Sequence, residues 1–273
     1  MPEMPEVETI ARKLRSTVVG KSIAEVWLSG LPLRRPLDPT LTRRLVGRTI
    51  RKIHRRGKYI VAELEPRLFW LIHLGMSGRV FYFPMVTEKP KHTHAVVRFS
   101  DSSELQYRDP RRFGLVAIHE VAHLRNVPEL ASLGMDPLDP GFTAAWLGPM
   151  LRRSRADIKS FLLDQSKIAG LGNIYVCEAL HQAGIRPRRR CFTLTRAEAS
   201  ALVQAIREVI VSAVRNRGTS FSDFMDPDRE PGANQHFLCV FQMDGEKCRR
   251  CRSIIRRLRQ GNRSSFYCPR CQR

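Results

Sequence analysis

The chain has 273 residues, 42% of them hydrophobic, and its 47 basic and 26 acidic residues give a net charge of +21. This length allows two domains with a sizeable core, and the hydrophobic content is that of a folded soluble protein. The charge predicts a polyanionic partner, either a nucleic acid or, as the alternative, an anionic membrane surface. No apolar run approaches the ~18 residues of a membrane-spanning helix, and the acidic N-terminus is unlike a signal peptide. We therefore expect a protein of the cytoplasm or nucleoid.

The first nine residues read M-P-E-M-P-E-V-E-T. Removal of Met1 would leave Pro2 with a free secondary amine, and α-amino groups have a pKa of about 7.7–8, so a useful fraction is unprotonated near neutral pH. Such an amine can attack carbon and form an iminium, while the adjacent Glu3 can move protons. The structural alternative is that Pro2 and Glu3 only begin a helix, which both residue types do well.

A helix followed by a β region is predicted for the first half of the chain. Apolar residues from Val7 to Val18 recur at helical spacing, and Gly20 can end that helix. From Lys21 to about His119, short runs rich in β-branched and aromatic residues are separated by Gly and Pro. This texture predicts an all-β sandwich or flattened barrel with the first helix packed against it. The clearest strand candidates are residues 22–28, 60–64, 69–73, 80–83 and 95–99.

Three turns in the β region carry side chains suited to nucleic acid. Lys58 belongs to a basic segment that leads into a strand, for which a solvated edge is the alternative. Met76, Arg111 and Phe113 lie in two Gly-terminated turns. Apolar and arginine wedges are used to open a base step and to fill the gap left by an extruded nucleotide; core packing is the alternative for Met76 and Phe113. The segments are R-R-G-K-Y at 55–59, H-L-G-M-S-G at 73–78 and D-P-R-R-F-G at 109–114.

The second half of the chain is predicted to be largely helical. Pro and Gly residues punctuate 120–150, which we interpret as a connection. Helical texture follows from Arg152 to Gly218, and Thr195 with Glu198 forms a capping box. The Gly-rich turn G-L-G-N-I-Y at 170–175 can expose backbone N–H groups to an anion, although an ordinary helix–helix turn is as consistent with it. Residues 219–236 are predicted to be a long exposed loop, a kind of segment that often carries function.

Seven cysteines are present, and four of them form two C-x-x-C pairs near the C-terminus. Two such corners are what a tetrahedral Zn²⁺ site needs, with disulfides as the alternative. The module from Gly245 to Arg273 has ten Lys or Arg and one acidic residue, which suits contact with a DNA backbone. Cys177, Cys191 and Cys239 are expected to be packed or incidental thiols. The predicted zinc ligands are Cys248, Cys251, Cys268 and Cys271.

Together these motifs resemble the formamidopyrimidine-DNA glycosylases (Fpg, or MutM), in which the N-terminus reads P-E-L-P-E-V-E-T and the Gly-rich turn G-[LV]-G-N-I-Y-A. The motifs occur at the start, middle and end of the chain in the family's order. The resemblance implies an α+β fold with three parts. These are an N-terminal helix plus β-sandwich domain over residues 1–130, a helical domain with a helix-two-turn-helix over 131–242, and a C-terminal zinc finger over 243–273.

The resemblance also implies a bifunctional DNA glycosylase and AP lyase that removes oxidised purines from double-stranded DNA and acts as a monomer. Pro2 would be the nucleophile and Glu3 the proton-transfer group, while Lys58 matches a catalytically important lysine. Arg263 matches an arginine at the tip of the zinc-finger hairpin that grips phosphate, and one structural Zn²⁺ is implied. The implied DNA contacts are His73 and Asn173 to phosphate, with Met76, Arg111 and Phe113 as intercalating probes.

Two other functions stay open. The first is an endonuclease VIII-like enzyme for oxidised pyrimidines, against which the N-terminal motif and the long loop at 219–236 argue. The segment 219–242 departs most from the family, so the preference among oxidised purines is the part of the resemblance that carries over least. A non-catalytic DNA-binding protein would share the charge and the zinc finger. Such a protein has no need of the Pro2-Glu3 start, so this start favours an enzyme.

Overall fold

A computed structural model describes residues 2–64, 67–221 and 224–273. Met1, whose removal would free the Pro2 amine, and two residues of the predicted loop at 219–236 lie outside these ranges. The chain divides into two compact units, each formed by two segments. The first unit comprises Met1–Ala131 and Asn216–Gln235, and the second comprises Ser132–Arg215 and His236–Arg273.

The first unit contains two four-stranded antiparallel sheets and an N-terminal helix that share one hydrophobic core. The helices are α1 (Met4–Thr17), α2 (Thr40–Leu45) and α3 (Pro128–Ala131), and the strands are β1 (Ile23–Leu28), β2 (Ile50–Arg56), β3 (Tyr59–Leu64), β4 (Leu68–His73), β5 (Arg79–Phe83), β6 (Thr93–Phe99), β7 (Glu104–Arg108) and β8 (Leu115–Glu120). The strand orders are β1-β6-β7-β5 and β2-β3-β4-β8, so the predicted helix plus β-sandwich is confirmed.

Helix α1 forms where the apolar periodicity predicts it. Val7, Ile10 and Leu14 are at most 1% exposed and face the core of the sandwich. Glu3 is the N-cap, and a capping box joins it to Glu6. Gly20 adopts a φ of +87° just after the helix, a conformation that costs glycine little.

The segment that returns to the first unit agrees with only part of a prediction. Residues 219–236 were expected to be an exposed loop, and residues 228–231 are exposed, but Thr219, Phe224 and Asn234 are at most 8% exposed. The segment lacks strands in its described part, and side chains satisfy its backbone instead. The Asp226 carboxylate accepts backbone N–H groups of Asp228 and Glu230, both at 3.0 Å. Because Ser, Asp and Asn can close such turns locally, a polar composition does not require an exposed loop.

The second unit contains four helices and a β-hairpin, and one of its helices was missed. Residues up to 150 were predicted to be a connection, but a helix begins at Ala144, where the Thr143 hydroxyl accepts the Trp146 N–H. Pro149 lies inside this helix, which is why the proline-rich pattern misled. The capping box at Thr195 and Glu198 is confirmed by reciprocal hydrogen bonds of 2.8 and 3.2 Å. The elements are α4 (Ala144–Arg153), α5 (Ile158–Leu163), α6 (Asn173–Gln182), α7 (Arg196–Arg215), β9 (Arg256–Gln260) and β10 (Arg263–Tyr267). Among the described residues, the helices are all too short or too polar to cross a bilayer.

Candidate nucleic-acid interface and metal centre

Pro2 and Glu3 lie buried at the N-terminal end of α1. Glu3 is 3% exposed and Glu6 is 1% exposed. The Glu3 backbone N–H donates to Glu6 Oε2 at 2.7 Å, and the Glu3 side chain in turn accepts the Glu6 backbone N–H. The residue that follows Pro2 is therefore fixed at both its backbone and its carboxylate, and this fixes the position of Pro2 at the helix end.

The second oxygen of Glu6 fastens the returning segment to the same place. Glu6 Oε1 accepts the Thr219 backbone N–H at 2.7 Å. Gly218, with a φ of +81°, approaches so closely that a Cβ there would lie 2.9 Å from the Glu6 side chain. Only glycine permits this backbone to reach the carboxylate without displacing it. One buried carboxylate thus joins the N-terminus to the segment 216–235.

The predicted phosphate contacts Lys58 and His73 lie at the ends of β2 and β4. Lys58 belongs to the two-residue turn between β2 and β3, in which Arg56 pairs with Tyr59. His73 ends β4, and its ring packs against Tyr59 with centroids 4.7 Å apart. Burial, together with the charges of Arg34 and Lys58, lowers the pKa of His73 to about 3. His73 is therefore neutral near pH 7. Its Nδ1 accepts the Gly75 N–H at 3.0 Å, which leaves Nε2 as the protonated nitrogen and an available donor.

The two predicted probe turns pack against each other through their backbones. Gly75 has a φ of +60°, and a Cβ there would lie 2.4 Å from the Phe113 carbonyl carbon. A Cβ on Gly114 would lie 1.6 Å from the Tyr107 hydroxyl and 2.7 Å from the His73 carbonyl oxygen. The glycines in these motifs are thus required for close backbone approach, which sequence alone did not specify.

Asp109 holds both turns in this arrangement. It is 0% exposed, and it accepts hydrogen bonds from the Ser77 hydroxyl at 2.6 Å and the Gly114 N–H at 2.8 Å. The Tyr107 hydroxyl donates to it at 3.2 Å. Burial and the Asp109 charge raise the pKa of Tyr107, so this hydroxyl stays a donor. A rigid polar base therefore lies under the turns.

The predicted probes themselves are exposed. Met76 is 39% exposed and Phe113 is 45% exposed. The Arg111 guanidinium lies 4.8 Å from the centroid of the Phe113 ring. Arg34, a residue that sequence reasoning missed, donates from its Nε to the Phe113 carbonyl at 3.1 Å. Large apolar side chains on a rigid exposed turn, bordered by arginines, are suited to insertion into a stacked polymer.

In the second unit, Asn173 begins α6 after the Gly-rich turn. The Gln165 side chain stabilises this turn by accepting the Gly170 N–H at 2.9 Å and donating to the Leu171 carbonyl at 2.8 Å. The Asn173 side-chain amide donates to the Ser264 carbonyl at 3.0 Å. This bond places the start of α6 directly beside the first residues of β10.

The hairpin that carries Arg263 is fixed by a buried lysine. Arg263 is the first residue of β10, pairs with Gln260 and is exposed. Lys159 is 1% exposed, and its Nζ donates to the Ser264 carbonyl and the Ser265 hydroxyl, both at 2.7 Å. The residues after Arg263 are therefore held to α5 and α6, while Arg263 itself projects beside the hairpin turn.

The four predicted zinc ligands converge in the second unit. Their sulfur atoms all lie within 4.8 Å of one another, with Cys251 and Cys268 at 3.4 Å and Cys248 and Cys271 at 3.9 Å. Tetrahedral Zn²⁺ with Zn–S bonds of about 2.3 Å requires sulfur–sulfur distances of about 3.8 Å. Both the donor set and the spacing fit a structural Zn²⁺ site.

Two residues of α6 support this module, and sequence reasoning missed both. His181 Nε2 lies 3.6 Å from the Cys248 sulfur, and burial lowers the pKa of His181 to about 4, so the neutral ring can donate to a thiolate. The buried Glu178 carboxylate accepts the backbone N–H groups of Cys239, Val240 and Phe241 at 2.8, 3.0 and 2.8 Å. Helix α6 therefore positions both the zinc ligands and the segment that leads to them.

The supporting residues Glu6, Arg34, Lys159 and Glu178 had little or no sequence signal. The Glu3–Glu6 spacing is that of a capping box and could have assigned Glu6 a partner. Arg34, Lys159 and Glu178 act through partners distant in sequence, so no local pattern marks them.

Three family models together match most of the chain. They are the formamidopyrimidine-DNA glycosylase N-terminal domain over residues 1–116, the formamidopyrimidine-DNA glycosylase H2TH domain over 133–225, and a zinc finger found in FPG and IleRS over 245–273. The chain is 43% identical to a formamidopyrimidine-DNA glycosylase of Desulforamulus reducens, covering 100% of this chain and 99% of the relative. It is 41% identical to one of Ruegeria pomeroyi, with both chains fully covered.

Solved structures agree with this comparison. A complex of Lactococcus lactis Fpg with abasic-site DNA superposes with a TM-score of 0.91 at 31% identity, covering both chains completely. The MutM (Fpg) protein of Thermus thermophilus superposes with a TM-score of 0.87 at 35% identity, covering 99% of this chain and 98% of that one.

Proposed function

Because the chain belongs to the formamidopyrimidine-DNA glycosylase family, and is thus a DNA glycosylase of oxidised-base repair, we propose that it excises oxidised purines through an imine at Pro2 and then cleaves the strand. Its ligand is double-stranded DNA that contains 8-oxoguanine, formamidopyrimidines or abasic sites. The observation that carries this proposal is the placement of Pro2 and Glu3, buried and fixed at the end of α1 by Glu6.

The proposed chemistry begins with a flipped lesion nucleotide. The Pro2 nitrogen forms a bond to C1′ of the deoxyribose as the N-glycosidic bond breaks and its electron pair leaves with the protonated base. The nitrogen then loses its proton, and its lone pair forms the C=N bond as the C1′–O4′ bond breaks and O4′ takes up a proton, which opens the sugar ring. The resulting iminium acidifies the C2′ proton. Loss of that proton expels the 3′ phosphate by β-elimination, and a second elimination expels the 5′ phosphate. Glu3 exchanges protons near the sugar.

The remaining predicted residues divide into phosphate contacts and probes. In the first unit Lys58 and His73 contact DNA phosphates, and Lys58 also aids the chemistry. In the second unit Asn173 and Arg263 contact DNA phosphates. A neutral His73 with an Nε2–H donor suits this role, since it donates without adding a buried charge. Met76 and Phe113 fill the vacated step, and Arg111 contacts the unpaired base.

The structural Zn²⁺ stabilises the module that presents Arg263. Binding energy at such a site is folding energy, so the metal acts on structure rather than on the sugar. We also propose that function follows the three-part division predicted above: catalysis in residues 1–130, the helical domain in 131–242 and the zinc finger in 243–273.

Borohydride trapping on 8-oxoguanine DNA tests the proposal. The native protein should become covalently attached to DNA, because borohydride reduces the iminium to a stable amine. A protein extended by two residues before Pro2 should bind lesion DNA with similar affinity and form no adduct. Full trapping by an extended, unprocessed protein would rule out the Pro2 amine as the nucleophile, and intact N-terminal sequencing of each preparation controls for removal of the extension.

A further inference from the structure

A groove of about 640 Å³ lies in the second unit, where α4 and the start of α7 both line it. Its volume is typical of ligand pockets. Every residue of this unit is described, and the lining of the groove contains no aromatic ring. Most of the lining is small or aliphatic, and includes Ala144, Ala145, Gly148, Leu151, Leu194 and Ala199. The proposed chemistry on DNA gives this groove no role.

Two arginines supply the charge of the groove, one from each helix. Arg152 lies four residues after Gly148 and so on the same face of α4. A Cβ on Gly148 would lie 3.4 Å from Arg152 Nη1, so the guanidinium lies back over the helix at the groove. Arg196 is the first residue of α7, a position where the helix dipole disfavours positive charge. Helix stability therefore does not explain Arg196.

These two charges are not neutralised within the second unit, which is described in full. Neither Arg152 nor Arg196 forms an ion pair with a described residue. The neighbouring Glu198 carboxylate is used elsewhere, since it accepts the Thr195 N–H at 2.8 Å and pairs with Arg189 at 2.6 Å. The groove thus combines an aliphatic floor with two guanidinium groups that can pair with an anionic ligand.

Pro149 adds a hydrogen-bond acceptor to the same groove. It lies inside α4 and has no N–H to donate to the Ala145 carbonyl, four residues before it. Ala145 and Pro149 both line the groove and are exposed. A helical carbonyl without its usual donor can accept an N–H from a ligand instead.

We propose that this groove binds a segment of a partner protein in which acidic residues flank an apolar anchor. The aliphatic floor would bury the anchor, the guanidinium groups would pair with its carboxylates, and the Ala145 carbonyl would accept a backbone N–H. A second copy of this chain is disfavoured by its net charge of +21. DNA matches the groove less well, because the lining offers no ring for base stacking and phosphates gain nothing from an aliphatic floor.

The test uses a set of short fluorescein-labelled peptides in which Asp and Glu flank Leu and Phe. One control set replaces Leu and Phe by Ser, and the other replaces Asp and Glu by Asn and Gln. Affinity is measured by fluorescence anisotropy, and NMR of the native chain locates the bound peptide. The acidic peptides with an apolar anchor should bind at least about tenfold more tightly than either control, and should perturb the signals of α4 and the start of α7.

Two variants of the full chain separate the charge from the floor. Arg152→Ala/Arg196→Ala, the groove double variant, should weaken peptide binding about three- to tenfold, as expected for exposed ion pairs. Ala145→Trp fills the groove and keeps its charge, and should weaken binding about tenfold or more because the apolar anchor can no longer be buried. The control double variant, Arg153→Ala/Arg155→Ala, removes two exposed charges that do not line the groove. It should change the Kd by less than about twofold.

Several results would overturn the proposal. Equal binding of the anchored and the anchor-free acidic peptides would show that charge alone attracts them. Native-like binding by Ala145→Trp, or no binding of the whole anchored set to the native chain, would contradict it as well. A duplex carrying a tetrahydrofuran abasic analogue tests the other occupant. If this duplex displaces the peptides, and the groove double variant loses more duplex affinity than the control double variant, the groove binds DNA and the partner assignment is wrong. Melting curves confirm that each variant is folded.

Discussion

Substitution of Phe113 separates a probe from a packing residue. A Phe→Ala change in a closed core costs about 3–5 kcal/mol, but Phe113 is 45% exposed and its ring contacts the Arg111 guanidinium. Its loss leaves no cavity, so we expect Phe113→Ala to cost about 1 kcal/mol or less. For a unit of this size that corresponds to a melting shift of roughly 2–4 °C at most.

Gly114→Ala provides the matched structural control in the same turn. A Cβ at this position would lie 1.6 Å from the Tyr107 hydroxyl, which is bonded to the buried Asp109. The methyl group must displace the hydroxyl or the backbone, so we expect a cost of about 1–3 kcal/mol, comparable to overpacking a core. The smaller side-chain change should therefore have the larger effect on melting.

Although Phe113→Ala should change the melting temperature little, it should change the activity strongly. Phe113→Ala should slow excision of 8-oxoguanine from duplex DNA by about 10- to 100-fold, since opening a base step costs a few kcal/mol. Single-stranded substrate, in which no opposite strand must be parted, should be affected much less. Arg111→Ala should also reduce discrimination of the base opposite the lesion, because one arginine–base pairing provides about 1–3 kcal/mol.

The assay is single-turnover cleavage of 8-oxoguanine opposite C, A, G and T, with a melting curve for each variant. If Phe113→Ala melts as far below the parent as Gly114→Ala, the residue is packing. If Arg111→Ala leaves the opposite-base ranking unchanged, the guanidinium does not contact the unpaired base and that role is wrong.

Three further predictions concern the supports of the site. Glu6→Gln should lower the free energy of unfolding by about 1–3 kcal/mol and slow trapping, because an amide cannot accept from both the Glu3 and Thr219 N–H groups with its two ends; native-like urea unfolding would contradict this. Zinc removal, or Cys268→Ser, should unfold the C-terminal module and weaken DNA binding. The NMR signals of the β-strands in the first unit should persist. Metal analysis should find one zinc per native chain. Folding lowers the pKa of His73 to about 3, so on acidification the ring binds a proton at a higher pH in the unfolded chain than in the folded one. The free energy of unfolding therefore falls as the pH drops from about 6.5 towards 3. At pH 5 the loss in the free energy of unfolding should be about 1–2 kcal/mol. In His73→Gln the free energy of unfolding should vary less with pH over this range.

Local patterns predicted the main elements of this chain. Helix α1 follows from its apolar period, α7 from its capping box, and the β-sandwich from short β-branched runs punctuated by Gly and Pro. The four cysteines predicted the zinc site, because two C-x-x-C corners already fix the donors and their spacing. Each of these features depends on residues close in sequence, where period and spacing carry the physical information.

Other features depended on partners far along the chain. The returning segment at 216–235 is partly buried because Glu6 binds the Thr219 backbone 213 positions away, and no local pattern distinguishes that from an exposed polar loop. The placement of Asn173 and Lys159 against Ser264 is equally non-local.

The sequence by itself determined most of the secondary structure, the metal ligands and the family, since these depend on spacing and motif; α4 was the exception. Only the tertiary structure decided which distant groups meet. It brought the Glu6 carboxylate to the Thr219 N–H and placed Phe113 on an exposed turn above the buried Asp109 carboxylate. Burial and electrostatic interaction depend on distances between side chains, and those distances are set by the packing of the sheets rather than by any single segment.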